Sequence, residues 1–124
     1  MSEMNKPRVS KSFEMIRQYL KSSVPPCTAT IDTPTHYESV AINKDQKHLY
    51  GFCVAHHDVV TVGFNEEIPE TDLKQLIPER LRRMMNEHRR LEIRETEVHD
   101  LRQDIQDACN QLLYYYNEKN WTTI

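Results

Sequence analysis

Glycine is almost missing from this chain: Gly51 and Gly63 are the two among 124 residues. That excludes glycine-rich loops that cradle phosphates, and collagen-like or linker-rich designs. Cysteine is sparse as well. Cys27, Cys53 and Cys109 are odd in number, widely spaced and without a CxxC pair, so neither a zinc ribbon nor a thioredoxin-type site is implied. No apolar run approaches the roughly 20 residues of a membrane-spanning helix. Met1 to Arg8 is polar and lacks the apolar stretch of a signal peptide. Together these features predict a cytoplasmic protein with reduced thiols. Basic charge is not in excess: 16 Lys and Arg stand against 19 Asp and Glu, a formal net charge of -3. Nucleic acid is therefore a poor expectation, because a basic footprint supplies most of that affinity.

What is present is a chain with 38% hydrophobic and 28% charged residues, long enough for one domain with a real core. Residues 1–9 read as a flexible N-terminus, 10–117 as a single α+β domain, and 118–124 as a polar tail apart from Trp121. Phe13, Ile16 and Leu20, flanked by Met15 and Tyr19, form one helical face, capped by Ser10 or Ser12 and ended before Val24-Pro25-Pro26. Strand-like stretches follow at Cys27–Ile31, Tyr37–Ile42, His48–Ala55 and Val59–Phe64, with His56-His57-Asp58 as the hairpin connection of the last pair. The unbroken apolarity of LYGFCVA and VVTVGF predicts central strands at least partly covered on both faces. Gly51 and Gly63 inside them mark a bulge or a close approach.

Leu73, Leu76 and Ile77 then line a helix that Pro78 interrupts and restarts, carrying Leu81, Met84 and Met85. Arg90 to Glu95 alternates strictly, as a strand with one wet face does. Thr96 caps a long last helix whose stripe is Leu101, Ile105, Ala108, Leu112 and Tyr115, widened by Cys109, Leu113 and Tyr116. The order is helix, four strands, broken helix, strand, helix. Short connections make it a two-layer α+β fold: an antiparallel meander sheet of about five strands, with helices on one face.

No arrangement for catalysis stands out. No HxH or HxxxH spacing occurs among the six histidines. A metal site, if the fold gathers one, would use His36, His56, His57 and Asp58. Cys53 and Cys109 fall in apolar surroundings, where thiols act as inert small hydrophobes, while Cys27 follows a double proline with nothing to activate it. Ser22, Ser23 and Ser39 sit in no GxSxG elbow. The carboxylate pairs Glu66-Glu67, Glu70 with Asp72, Glu95 with Glu97, and Asp104 with Asp107 fall near helix starts or on wet helix faces. No catalytic residue and no cofactor are expected.

Two surface features remain. Arg80, Arg82, Arg83, Arg89, Arg90 and Arg94 are six arginines within fifteen residues, without a lysine. Arginine suits bidentate recognition of carboxylate or phosphate, so Arg80, Arg83, Arg90 and Arg94 are the candidates for an acidic protein or small anionic ligand. Pairing with Glu79, Glu87, Glu92 and Glu95 is the alternative. The second feature is Tyr114-Tyr115-Tyr116. Three consecutive helical positions cover about 200 degrees, so at least one ring should be exposed or covered by another chain. Tyr115, Tyr116 and Trp121 are the candidates for self-association as a homodimer, with packing on their own domain as the alternative.

The run HLYGFCVAHHDVVTVGFNEEIP, a broken helix, and then RRLEIRETEVHDLRQDIQDACNQLL resembles small bacterial domains of the YdhG-like kind over about residues 28–113. The resemblance implies the same passage from hairpin to acidic-proline turn, short helix, basic strand and closing helix. Some of those domains are described as frataxin-like iron chaperones. Here His36-Tyr37-Glu38 stands where they carry a proline-phenylalanine stretch, so no iron ligand transfers. The element order is also similar to secretion-chaperone-like dimers. The expectation is a small non-enzymatic binding or accessory protein, with metal handling or a secretion-chaperone-like role as alternatives.

Overall fold

The computed structural model describes residues 11–22, 27–43 and 46–119. The Phe13, Ile16 and Leu20 spacing forms helix α1 (Lys11–Ser22), and all three side chains are buried. Ser12 lies inside this helix rather than capping it; its buried hydroxyl donates to Glu95 O at 2.9 Å and ties α1 to the end of the last strand. Four strands follow: β1 (Cys27–Asp32), β2 (His36–Asn43), β3 (Gln46–His56) and β4 (Val59–Phe64). The chain then makes two short helices, α2 (Glu70–Leu76) and α3 (Glu79–Arg82), each starting just after a proline. Strand β5 (Leu91–Arg94), a single turn α4 (Glu95–Val98) and the long helix α5 (Arg102–Glu118) complete the order. The expected N-terminal segment 1–9, the Val24-Pro25-Pro26 turn, Lys44-Asp45 and Trp121 lie outside the described residues.

The five strands pair in sequence order, β1-β2-β3-β4-β5, and every neighbour is antiparallel. This is the two-layer α+β meander that the pattern predicts, with α1 and α5 on one face of the sheet. Tyr37, Ser39, Ala41, Cys53, Val60, Val62, Leu91 and Ile93 point to that face and are buried against Phe13, Ile16, Leu20, Ile105, Ala108 and Leu112. Gly51 faces the same layer, where an added Cβ would stand 3.1 Å from Leu20 Cδ2. Beside it the register of β2 with β3 shifts: Ser39 opposes Gly51 but Val40 opposes Leu49, which makes Tyr50 the extra residue of a bulge. The bulge aims Tyr50 into the helix layer, where its hydroxyl donates to Cys109 O at 3.2 Å.

Two expected elements differ. Helical structure after Pro78 stops at Arg82, because Met84 and Met85 serve the sheet instead: Met84 O accepts from Glu92 N at 3.1 Å, and Met85 bridges Leu91. The last helix does not start at Thr96. Leu101 leaves the helical region (φ -99°, ψ 4°) and divides a short α4 from α5, so Val98 and Leu101 can both reach the core.

Candidate functional site

The second face of the sheet has no helix on it among the described residues. Alternation along each strand sends His36, Glu38, Val40 and Ile42 of β2 to this face, with Leu49, Phe52 and Val54 of β3, Val59 and Thr61 of β4, and Glu92 and Arg94 of β5. LYGFCVA, expected to be at least partly covered on both faces, is covered unequally. Its inner positions are buried, but Leu49, Phe52 and Val54 are partly exposed, as are Val40, Ile42 and Val59. None of these six packs against the core.

The chemistry of the face is ordered in rows across the strands. Glu38 pairs in register with Phe52, and Phe52 with Gly63. The β4–β5 pairing of Val62 with Leu91, carried one residue further, brings Arg90 to the end of this row. The next row runs His36, Val54, Thr61, Glu92. From β2 to β5 each row thus has a charged or titratable side chain at either side and apolar or small groups between, and beyond Glu38 the first row continues to Ile31 of β1. The Phe52 ring leans over Gly63, filling the space a Cβ would need, and the Arg90 guanidinium stacks over that ring at 5.3 Å from its centroid. Thr30 Oγ1 donates to a Glu38 carboxylate oxygen at 3.2 Å.

Arg90 is held in place by a tight turn. Asn86 Oδ1 accepts from His88 N at 2.9 Å and from Arg90 N at 3.1 Å, while Asn86 N donates to Arg90 O at 2.8 Å. Arg89 adopts φ 64°, a left-handed backbone that non-glycine residues take rarely. Its guanidinium donates to Glu66 O at 3.1 Å and to Ile68 O, clamping the turn to the segment after β4. Between them lies a cleft of about 490 Å³ whose lining includes His36, Glu38, Phe52, His88, Arg89 and Arg90.

The four arginines expected as one patch do not meet. Arg80 donates to Asp104 on α5 at 2.7 Å, and Arg83 pairs with Glu79 at 3.2 Å. Arg90 and Arg94 belong to the open sheet face, at opposite ends of β5 and about 13 Å apart by strand rise. The tyrosines need a plainer correction. Tyr115 and Tyr116 are inside their own domain: Tyr115 Oη donates to Asp72 Oδ2 at 2.8 Å, and Tyr116 Oη donates to Tyr50 O at 2.7 Å while accepting from Asn65 N at 3.2 Å. The ring left outside is Tyr114, 69% exposed.

His56, His57 and Asp58 are exposed in the β3–β4 turn, where the two imidazoles touch edge to face at 4.5 Å; His36 lines the cleft instead. The four candidates therefore do not converge, and no group of three or more potential ligands forms among the described residues. Cys53 and Cys109 are buried and form no disulfide, and burial pushes the Cys53 thiol up to about 12, so it stays protonated at neutral pH. No helix among the described residues is long and apolar enough to cross a membrane.

No family model, curated protein or solved structure matches the chain. Sequence reasoning missed Glu38, Phe52 and Glu92 as members of a site. Glu38 and Glu92 occupy outward positions of β2 and β5, and Phe52 lies in the unbroken apolar run of β3; they become one surface only once the strand order sets the rows.

Proposed function

We propose that this protein is a small non-enzymatic binding module that works through protein–protein contact, using the open face of its sheet. One observation carries the reading: Val40, Leu49, Phe52, Val54 and Val59 lie on one face, partly exposed, with no described helix packed over them. Antiparallel sheets commonly leave one face to water, but that face is then polar along each strand. Here its centre is aliphatic and aromatic, with charges at the margins, which is the composition of an interface core and rim. Arg90 and Arg94 at the β5 margin favour a partner that brings an acidic group beside an apolar contact.

The test compares the wild-type chain as bait with a Leu49→Asp, Val54→Asp double variant. Both positions are partly exposed, so the variant should keep its far-ultraviolet circular dichroism and cooperative unfolding. Loss of the bound partner from the folded variant is the expected result. Equal capture by both chains would overturn the assignment of the face.

A further inference from the structure

The open face is matched to itself. We infer that its partner is a second copy of this chain, packed face to face about a two-fold axis parallel to the strands and midway between β3 and β4. This rests on the reading of the face as a protein-binding surface and names what binds there.

In the strand order β2-β3-β4-β5, a line between β3 and β4 has β2 one and a half strand spacings to one side and β5 the same distance to the other. At about 4.8 Å per spacing, both lie roughly 7 Å from the line. A two-fold rotation about that line turns the second sheet over and lays its β5 under the first molecule's β2. Residues sharing a row then face each other across the interface.

In the first row Glu38 of one copy meets Arg90 of the other, and the reverse contact forms by symmetry. In the second row His36 meets Glu92, again twice. Between these ends Val54 opposes Thr61. Phe52, which leans over Gly63 toward the axis, meets its own symmetry mate. Each charged or titratable residue at the β2 and β5 positions of these two rows thus finds a group of complementary kind, with Phe52 and Val54 inside that frame.

An isologous interface requires this self-complementarity, and facing sheets pack about 10 Å apart with strands within roughly 30°. A translated or perpendicular arrangement would lose the coincidence of the rows. The reading also moves the expected self-association away from α5, whose Tyr115 and Tyr116 are buried.

The experiment is sedimentation equilibrium of the full chain over roughly 1–200 μM, a range that brackets a standard-size interface of modest affinity. It uses the wild type, Glu38→Arg, Arg90→Glu and the double charge swap, each checked for folding by circular dichroism. A wild-type dimer is expected. Either reversal alone should raise its Kd at least about tenfold, because each places two like-charge contacts in the interface. The double swap should restore the wild-type value, and Glu38→Gln, which keeps the shape, should weaken the dimer less than Glu38→Arg.

A monomeric wild type across the range would overturn self-docking while leaving the face open to a different protein, which the bait comparison reads separately. A dimer indifferent to both reversals but lost on Tyr114→Asp would overturn it in favour of α5. Weakening by both reversals without rescue in the double swap would overturn the pairing of Glu38 with Arg90.

Discussion

The Phe52 ring occupies the place of the side chain that Gly63 lacks: a Cβ at position 63 would stand 2.2 Å from Phe52 Cε1 and 2.3 Å from Cζ. Gly51 is equally without spare room, but for a different reason. A Cβ there would lie 3.1 Å from Leu20 Cδ2 in the core, and 3.3 Å from both Gly63 O and Phe64 Cδ1. The two glycines thus make close contacts on opposite faces of one sheet.

Substituting them should separate those roles. In Gly63→Ala the neighbour that must yield is the free end of a ring on an open face, which can swing outward. Alanine in a strand recovers about 0.5–1 kcal/mol of backbone entropy. Stability should therefore change by less than about 1 kcal/mol, while the stacking of Arg90 on Phe52 is lost. Gly51→Ala crowds a packed core and should cost about 1–3 kcal/mol. Urea unfolding of both variants measures the difference, and equal costs would contradict this account.

Tyr116 joins three parts of the molecule through one hydroxyl. It donates to Tyr50 O in the β3 bulge, accepts from Asn65 N just after β4, and sits on α5; its ring meets Tyr50 edge to face at 5.2 Å. Removing the oxygen takes one hydrogen-bond partner from a buried carbonyl and one from the N–H of buried Asn65. Tyr116→Phe should therefore destabilise by about 1–3 kcal/mol. Tyr114→Phe, at the exposed neighbour, should stay within about 0.5 kcal/mol of wild type. Thermal melting of the pair is the measurement, and a Tyr116→Phe protein as stable as Tyr114→Phe would show that the hydroxyl ties nothing together.

These residues also mark where the sequence stops being legible. A period of two over Leu91–Arg94 and the three-and-four spacing of Phe13, Ile16 and Leu20 report which side is buried, and the structure follows both. Periodicity does not distinguish one long helix from two aligned pieces, so the break at Leu101 is invisible in the stripe from Leu101 to Tyr115. An unbroken apolar run such as LYGFCVA is equally ambiguous. A strand buried on both sides produces it, and so does a strand with a bulge at Tyr50 and an apolar open face. Hundred-degree spacing requires that the three tyrosines diverge, but only the position of α5 on the sheet decides that Tyr114 is outside. The site was the least legible part, because Glu38 and Arg90 become related only through the pairings of β2 with β3, β3 with β4 and β4 with β5.

Cys53 and Tyr115, two buried acids with raised pKa, make the fold sensitive to alkali. Burial pushes the Cys53 thiol from 9.0 up to about 12. The Tyr115 phenol rises from 10.0 to about 12, first through burial and then through its hydrogen bond to Asp72 and the charge of that carboxylate. In the folded protein both hold their protons, whereas the unfolded chain releases them at the ordinary values. Above pH 9 the unfolded state therefore binds fewer protons than the folded state, and stability falls as pH rises. The contribution is fully present below pH 9, declines as Cys53 titrates in the unfolded chain, and declines further above pH 10 as Tyr115 joins it. It is exhausted near pH 12. Urea midpoints should be equal at pH 8.0 and 8.5 and fall progressively from pH 9 to 11. Cys53→Ala should flatten the first part of the decline, and Tyr115→Phe the part above pH 10. A wild-type midpoint constant through pH 11, or variants with wild-type slopes, would show that neither group keeps its proton in the fold.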